Sequence, residues 1–205
     1  MRAERLIAYV DGFNLYYGLR EKGWRRYYWL NIEQLVRRLL KENQQLVSTK
    51  YFTARISGPQ AKQRRQTVFL EALCTLSDFE IFYGHYLSGT ISCKRCGRTW
   101  SDFEEKMTDV NIATEMLSDA FEDKFHTALL ISADSDLVPA LRALKRLFPK
   151  KRVIVFFPPG RFSAQLKNTA DQQLSIGRGT LAKSQFPDRI RKPDGFVLQR
   201  PSEWR

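Results

Sequence analysis

The chain has 205 residues, of which 34 are Lys or Arg and 22 are Asp or Glu, so its formal charge at pH 7 is +12. This length suits one α/β domain with a buried core, and the positive charge favours a polyanionic partner such as nucleic acid. We find no segment with the apolar length of a membrane span, no signal-peptide core, and only three cysteines, which argues against a disulfide framework. We therefore expect a cytoplasmic protein with no membrane partner.

The first predicted element is a short buried strand over residues 5–10, which ends at Asp11-Gly12-Phe13-Asn14. Glycine permits a sharp turn at this point. Asp11 or Asn14 can cap a following helix, and an acidic residue at the end of a buried strand also suits ligand binding at a sheet edge. Aromatic residues then alternate with cations, a pattern that serves either single-strand nucleic acid binding or core packing: Tyr16, Tyr17, Arg20, Lys22, Trp24, Arg25, Arg26, Tyr27, Tyr28 and Trp29.

Alternating helical and strand patterns continue to residue 87. A helix capped by Asn31 is predicted over 32–41, a strand over 46–56, a basic helix from Gly58-Pro59 to about Ser77, and a strand over 79–87. This alternation indicates a mainly parallel α/β sheet.

Between residues 88 and 102 the pattern changes to a small insertion that carries Cys93 and Cys96 in a C-x-x-C-G turn. Such a turn supplies two thiolates to structural Zn²⁺, and His85 is our candidate for a third ligand. Inert thiols in a hairpin and a redox pair are the alternatives, although a redox pair normally starts a helix. A zinc ion shared between two chains would favour a homodimer, and the fourth ligand would come from Cys74, Asp102 or the partner chain.

The next predicted helix opens with residues 104–110 and continues to Leu117. Lys106 and Asp109 lie three residues apart, and so nearly one above the other on such a helix. They form either a plain surface ion pair or a functional pair, in which Asp109 joins an acidic cluster and Lys106 meets a phosphate.

An apolar strand over 126–132 leads into Asp134 and Asp136 and then into a helix over 137–147. Asp136 can cap this helix, because Pro139 then falls in its first turn. A cap explains only one of two carboxylates at the end of a buried strand, which is where α/β sheets bind ligands. Together with Asp11 and Asp109 they make an all-oxygen set that suits Mg²⁺ or Mn²⁺, and such an ion can activate water for attack on a phosphodiester.

The last regular elements are a strand over 150–157 and a helix over 161–168. Residues from 175 onward show little periodicity and many cations, so we predict an arm that lies on the domain or is ordered by a partner. The expected organisation is a nuclease-like domain over 1–174, with the cysteine insertion at 88–102, and a basic arm over 175–205.

Three motifs together resemble the NYN domain, a branch of the PIN-like, FLAP-nuclease-like metal-dependent ribonucleases: Tyr9 to Leu15, Glu105 to Val110 and Ile131 to Leu137. The resemblance implies a Rossmann-like, mainly parallel sheet with helices on both faces and an acidic pocket at its carboxyl edge. By position, it implies that Asp11, Asp109, Asp134 and Asp136 are catalytic metal ligands. It also implies that Asn14 orients Asp11 or the substrate, that Ser132 and Lys106 lie near the phosphate, and that Ser163 and Asp171 support the pocket.

From this resemblance we expect a Mg²⁺- or Mn²⁺-dependent ribonuclease that acts on RNA. An RNA-binding or adaptor protein with the same fold is the alternative, although keeping all four aspartates argues against it. A phosphatase with an aspartyl nucleophile ranks last, because Asp11-Gly12-Phe13 lacks the second aspartate that such an enzyme would need.

Overall fold

The structure is a computed structural model that describes residues 3–92 and 95–205, with the backbone alone described for 86–91 and 100–106. Its strands are β1 (Glu4–Asp11), β2 (Gln44–Thr53), β3 (Phe79–Tyr83), β4 (His85–Ser92), β5 (Thr99–Lys106), β6 (Thr127–Ile131), β7 (Arg152–Phe157), β8 (Gln172–Ser175), β9 (Arg189–Arg191) and β10 (Val197–Gln199). Its helices are α1 (Gly12–Glu21), α2 (Ile32–Leu39), α3 (Gln60–Leu73), α4 (Thr108–Phe121), α5 (Val138–Leu147), α6 (Ala164–Thr169) and α7 (Arg178–Ala182). Short 3-10 turns occupy Arg25–Tyr27, Ser135–Leu137 and Ser202–Trp204.

The central sheet has the strand order β3-β2-β1-β6-β7-β8, and all of its neighbouring strands are parallel. The chain builds one half of the sheet outward from β1 to β3, returns to the centre, and builds the other half from β6 to β8. The strand order therefore reverses between β1 and β6, and the crevice beyond the carboxyl ends of such a pair is the usual ligand position in α/β sheets. The predicted Rossmann-like parallel sheet is confirmed.

Helices cover both faces of this sheet because its central strands are apolar on both sides. In β1, Leu6, Ala8 and Val10 pack with the cluster that contains buried residues of α1, α2 and α3. Ile7 and Tyr9 point the other way and pack with buried residues of α4, α5 and α6. This two-sided burial explains why β1 and β6 read as continuous apolar runs rather than as an alternating pattern.

An antiparallel hairpin of β4 and β5 interrupts the α/β alternation and corrects two predicted boundaries. The strand predicted over 79–87 is divided in two at Gly84, and the helix expected from residue 104 begins at Thr108. The cause is the hairpin ladder, which pairs His85 with Lys106 and so keeps the chain extended to residue 106. Met107 then takes a left-handed conformation, with φ of 76°, and α4 starts after it. Lys106 and Asp109 are therefore not on one helix.

The same hairpin separates His85 from the cysteine turn. Cys93 lies outside the described residues, whereas Cys96 is exposed in the turn that follows β4. His85 stands at the opposite end of β4, seven residues before Ser92, which is a distance of roughly 23 Å along an extended strand. Within one chain, His85 is too far away to share a zinc ion with Cys96.

The chain after β8 packs against the α2 and α3 face of the sheet. Trp204 is buried, and its ring centroid lies 6.4 Å from that of Trp29 and 6.1 Å from that of Phe69. The Trp29 indole N–H donates to the carbonyl of Pro187 at 2.8 Å, and Leu198 is buried in the same cluster. Residues 175–205 thus complete the core on this face. Among the described residues, none of the helices has the length and apolar character needed to cross a bilayer.

Candidate metal centre

Three aspartates converge at the carboxyl edge of the sheet, where the strand order reverses. Asp109 comes from the first turn of α4, and Asp134 and Asp136 come from the turn that follows β6. One carboxylate oxygen from each residue lies within 4.8 Å of the other two, and the side chains are partly or fully exposed. The fold therefore assembles a solvent-accessible carboxylate cluster from segments that are 25 residues apart in sequence.

Local hydrogen bonding explains how the turn after β6 presents two carboxylates. A side-chain oxygen of Asp134 accepts the backbone N–H of Asp136 at 2.9 Å, so Asp134 caps the 3-10 turn. The predicted cap was Asp136, but that side chain is exposed and has no capping role here. Pro139 does lie in the first turn of α5, where a missing N–H costs no helical hydrogen bond. The Asp136 carboxylate is therefore available to the cluster.

Asp11 lies behind this cluster and is 4% exposed. One of its oxygens accepts the backbone N–H of Asn14 at 2.9 Å, and the other accepts the hydroxyl of Ser132 at 2.8 Å. The Ser132 oxygen in turn accepts the N–H of Asp134 at 3.0 Å. The Asn14 side-chain oxygen accepts the N–H of Ala133 at 3.1 Å. These four bonds fix the end of β1 against the end of β6.

The three predicted substrate-binding residues have different positions in the structure. Ser132 is fully buried, and its hydroxyl donates to Asp11 and accepts the N–H of Asp134. Asn14 is partly buried and joins the two loops. The side chain of Lys106 is outside the described part of the chain.

Two further predicted supporting residues also have defined contacts. Ser163 caps α6 by accepting the N–H of Leu166 at 3.3 Å. Asp171 accepts the N–H of Val153 at 2.8 Å and pairs with Lys145. Because Val153 stands near the start of β7, Asp171 lies at the amino edge of the sheet, opposite the carboxylate cluster.

Burial and mutual repulsion disfavour the ionised forms of two of the aspartates. Burial raises the pKa of Asp11 to about 7; the hydrogen bonds from Asn14 and Ser132 oppose this, and the charges of Asp109 and Asp134 add to it. Burial, followed by the charges of Asp134 and Asp136, raises the pKa of Asp109 to about 6. Around pH 6 to 7 the carboxyl groups of Asp11 and Asp109 are therefore partly protonated, and a bound cation would displace those protons.

The cluster fits a small divalent cation. Oxygens on opposite sides of an octahedral Mg²⁺ ion lie about 4.2 Å apart, which is twice the metal–oxygen distance. The 4.8 Å spread of the three carboxylate oxygens is only slightly larger, so modest side-chain rotation would bring them to coordination distance. A cation would also relieve the repulsion that raises the pKa of Asp109.

A buried ion network anchors the helix that carries Asp109. Lys50 of β2 is 2.6 Å from Asp119 and 2.7 Å from Glu115, both on α4. The Tyr9 hydroxyl of β1 donates to Asp119 at 2.8 Å. Burial alone would lower the pKa of the Lys50 ammonium, but its bonds to Asp119 and Glu115 outweigh that effect and raise the pKa. Lys50 therefore stays charged and ties α4 to the sheet.

A second feature opens beside the acidic edge, on the α1 and α3 face. It is a cleft of about 630 Å³, and its lining includes Gly12 and Phe13, the two residues that directly follow Asp11. Gly12 permits this arrangement, because a Cβ there would lie 2.5 Å from the Tyr51 ring and 2.7 Å from the carbonyl oxygen of Phe52. Sequence reasoning noted the aromatic residues of α1 but missed Trp204, which reaches this cleft from the far end of the chain.

The parallel sheet, the carboxylate cluster at its reversal point and the helices on both faces define an α/β domain with an acidic site at the carboxyl edge of its sheet. The chain matches the NYN domain family over residues 5–177, and it belongs to this family. The resemblance drawn from the three sequence motifs is thus confirmed.

Similar proteins add little about the reaction. The chain is 27% identical, over 98% of its length and 75% of the relative's, to 6-hydroxy-3-succinoylpyridine 3-monooxygenase HspA of Pseudomonas putida. It is 28% identical, over 73% of its length and 65% of the relative's, to an uncharacterized protein of Methanocaldococcus jannaschii. A crystal structure of a protein of unknown function from Vibrio parahaemolyticus has the same fold, with a TM-score of 0.56 and 22% identity over 86% of this chain and 95% of that one.

Proposed function

We propose that the protein is a metal-dependent ribonuclease that hydrolyses phosphodiester bonds of RNA in the cytoplasm. The observation that carries this proposal is the carboxylate cluster of Asp109, Asp134 and Asp136, which lies at the ligand-binding edge of an NYN domain. The net charge of +12 supports a polyanionic substrate. A carboxylate cluster by itself would repel the phosphates of such a substrate. A cation bound between the carboxylates and the phosphate would remove that repulsion.

In this proposal Asp109, Asp134 and Asp136 hold one Mg²⁺ or Mn²⁺ ion, and Asp11 contributes its negative charge from behind them. When bound there, such an ion would supply an activated water and would neutralise charge on the leaving oxygen. Ser132 acts as a positioning residue, because its hydroxyl fixes both Asp11 and the turn that carries Asp134. Metal binding should release protons, since the pKa values of Asp11 and Asp109 are raised to about 7 and about 6.

The test is cleavage of a labelled single-stranded RNA and a DNA of the same sequence, with Mg²⁺, Mn²⁺ or a chelator. The key variant is Asp134→Asn, because an asparagine oxygen can still accept the Asp136 N–H and keep the turn capped. The matched control is Asp78→Asn, an exposed aspartate at the amino edge of the sheet, next to the start of β3. We expect metal-dependent cleavage of RNA that is lost in Asp134→Asn and kept in Asp78→Asn.

The outcomes of this experiment separate the nuclease from an RNA-binding or adaptor protein. Binding of RNA by the parent and by Asp134→Asn, with no cutting under any metal, would contradict the nuclease and favour the adaptor. Faster cutting of DNA than of RNA would keep the chemistry and change the substrate class.

A second candidate function comes from one relative, which is named as a monooxygenase of a pyridine derivative. The cleft is the part of this chain that could bind such a small molecule. Its lining is rich in aromatic residues and includes Arg20, Arg25 and Arg65, a combination that suits a small aromatic acid. Incubation with 6-hydroxy-3-succinoylpyridine, dioxygen and a reduced nicotinamide cofactor tests it directly, and substrate consumption that persists in Asp134→Asn would favour it. We rank it second because it assigns no role to the carboxylate cluster.

Zinc at the hairpin turn and a homodimer stay predictions. With His85 at the far end of β4, a zinc ion at the turn would need its other ligands from elsewhere in the chain or from a partner chain. Metal analysis of the purified protein together with its mass in solution tests both, since one zinc per dimer would indicate a shared site.

A further inference from the structure

The cleft described above has a continuous aromatic wall that the catalytic proposal does not use. Tyr16 of α1 is 40% exposed, and its ring centroid lies 5.0 Å from that of Tyr28. The Tyr28 ring in turn lies 5.8 Å from that of Trp204, which comes from the last 3-10 turn. Phe69 of α3 completes the wall behind Trp204, at 6.1 Å. Planar rings in a partly open cleft are suited to stacking against another planar ring.

The cleft also carries positive charge that its surroundings do not neutralise. Arg25 and Lys62 line it, and both are exposed. Within the described part of the chain, neither of their side chains has an ion-pair partner. Arg65 does have one, since it contacts Glu203 at 2.6 Å. Two free cations beside an aromatic wall match a ligand that combines a flat ring with a phosphate.

The position of the cleft relates it to the acidic edge. Asp11 ends β1, and Gly12 and Phe13, which line the cleft, follow it directly. The cleft therefore begins next to the strand end that carries Asp11, on the α1 and α3 face of the sheet. A volume of about 630 Å³ also falls within the range of small-molecule sites, ~300–1,000 Å³.

We propose that the cleft binds one unstacked base of the nucleic acid strand, with Tyr16 stacking on the base and Arg25 and Lys62 holding the adjacent phosphate. This inference rests on the proposed nuclease function and deepens it, because it names single strands as the substrate. A base in a duplex is paired and stacked and cannot enter without being extruded. Trp204 makes the C-terminal turn part of the substrate site, outside the part of the chain that matches the family.

The experiment measures binding without cleavage, so that it does not depend on the nuclease assignment. A short fluorescein-labelled RNA strand is titrated by anisotropy in the presence of a chelator. All proteins are compared at one reference salt concentration, and the parent and the arginine variants are also titrated over a series of salt concentrations. Tyr16→Ala is compared with Phe121→Ala, which removes an 81% exposed ring at the far end of α4. Arg25→Ser is compared with Arg146→Ser, which removes an exposed cation from α5. Thermal melting checks that all four variants are folded.

We expect Tyr16→Ala to weaken binding by roughly five- to 150-fold, which is the cost of losing one stacked base, and Phe121→Ala to leave it unchanged. Arg25→Ser should lower the dependence of log affinity on log salt concentration by about 0.7, and Arg146→Ser should not. A single abasic position in the strand should weaken binding by the parent, with no further loss in Tyr16→Ala.

Equal affinities for Tyr16→Ala and Phe121→Ala would overturn the cleft proposal, as would binding of a duplex as tight as that of the single strand. Either result could accompany normal metal-dependent cleavage, in which case the nuclease stands and the cleft assignment alone fails. Specific loss of binding in Tyr16→Ala, without cleavage in any metal, would support the cleft and remove the nuclease.

Discussion

Removing the buried charge of Asp11 should stabilise the metal-free protein at alkaline pH. Asp11 is 4% exposed, and burial raises its pKa from 3.8 to about 7. Because of this difference in pKa, ionising Asp11 costs roughly 4 kcal/mol more in the folded chain than in the unfolded chain. Asp11→Asn removes that cost. It can also replace the carboxylate oxygen that accepts the Ser132 hydroxyl with an amide nitrogen, and loss of that hydrogen bond costs about 1 kcal/mol. We therefore expect Asp11→Asn to be more stable than the parent by about 3 kcal/mol at pH 8.

The pH dependence gives this prediction its sign. Because the folded-state pKa is raised, the neutral carboxyl favours the folded state, and its contribution is fully present below about pH 3.8 and lost as pH rises through about 7. At pH 5 most of the cost has not yet appeared, so the advantage of Asp11→Asn should fall below about 1 kcal/mol.

The assay is urea unfolding with a chelator present, at pH 5 and at pH 8. Glu42→Gln is the control, since it neutralises an exposed carboxylate and should change stability by less than about 0.5 kcal/mol at either pH. An Asp11→Asn variant that is less stable than the parent at pH 8, or that differs from it equally at both pH values, would refute the reasoning.

Three other predictions follow from the packing and the charges. Gly12→Ala should destabilise the protein by about 1–3 kcal/mol in urea unfolding, because the added Cβ meets Tyr51 at 2.5 Å, whereas Gly177→Ala has nothing within 4 Å and should be nearly neutral; equal effects would contradict this. Lys50→Met should cost about 1–3 kcal/mol, since the buried Asp119 loses its 2.6 Å partner and keeps only Lys124 at 3.2 Å and the Tyr9 hydroxyl at 2.8 Å, and a neutral effect would show that the network does not stabilise the fold. Mn²⁺ should raise the melting temperature more at pH 8 than at pH 5, because protons compete for the carboxylates below their raised pKa values of about 6 and about 7; a larger rise at pH 5 would exclude the carboxylate site.

The sheet and the convergence of the aspartates were predictable because both depend on a simple pattern. Two buried strands that each end in an acidic residue place those residues at one edge when the strands are parallel. The residues after β1 and β6 do meet there, through the bonds among Asp11, Ser132 and Asn14. What the pattern did not distinguish is a residue that joins the exposed carboxylate cluster from one that lies buried behind it, as Asp11 does. Asp134 both caps its turn and belongs to the cluster.

Other features depend on long-range contacts that leave no local trace. Residues 104–106 look like the acidic first turn of a helix, but the hairpin register with His85 keeps them extended, so tertiary pairing overrides local propensity. The role of Ser132 depends on a partner 121 residues away. The burial of Trp204 likewise depends on three rings contributed by distant segments, and one tryptophan in a basic, aperiodic tail predicts none of them.

The most direct measurement of the central claim is the cleavage rate of an RNA with one sulfur in place of a non-bridging oxygen at the scissile phosphate. If the carboxylate cluster holds a cation against that oxygen, sulfur should slow cleavage in Mg²⁺, which prefers oxygen ligands, and the softer Mn²⁺ should restore the rate. Asp134→Asn should be inactive with both substrates. An equal sulfur effect in the two metals, or cutting that continues in chelator, would contradict a metal centre at Asp109, Asp134 and Asp136.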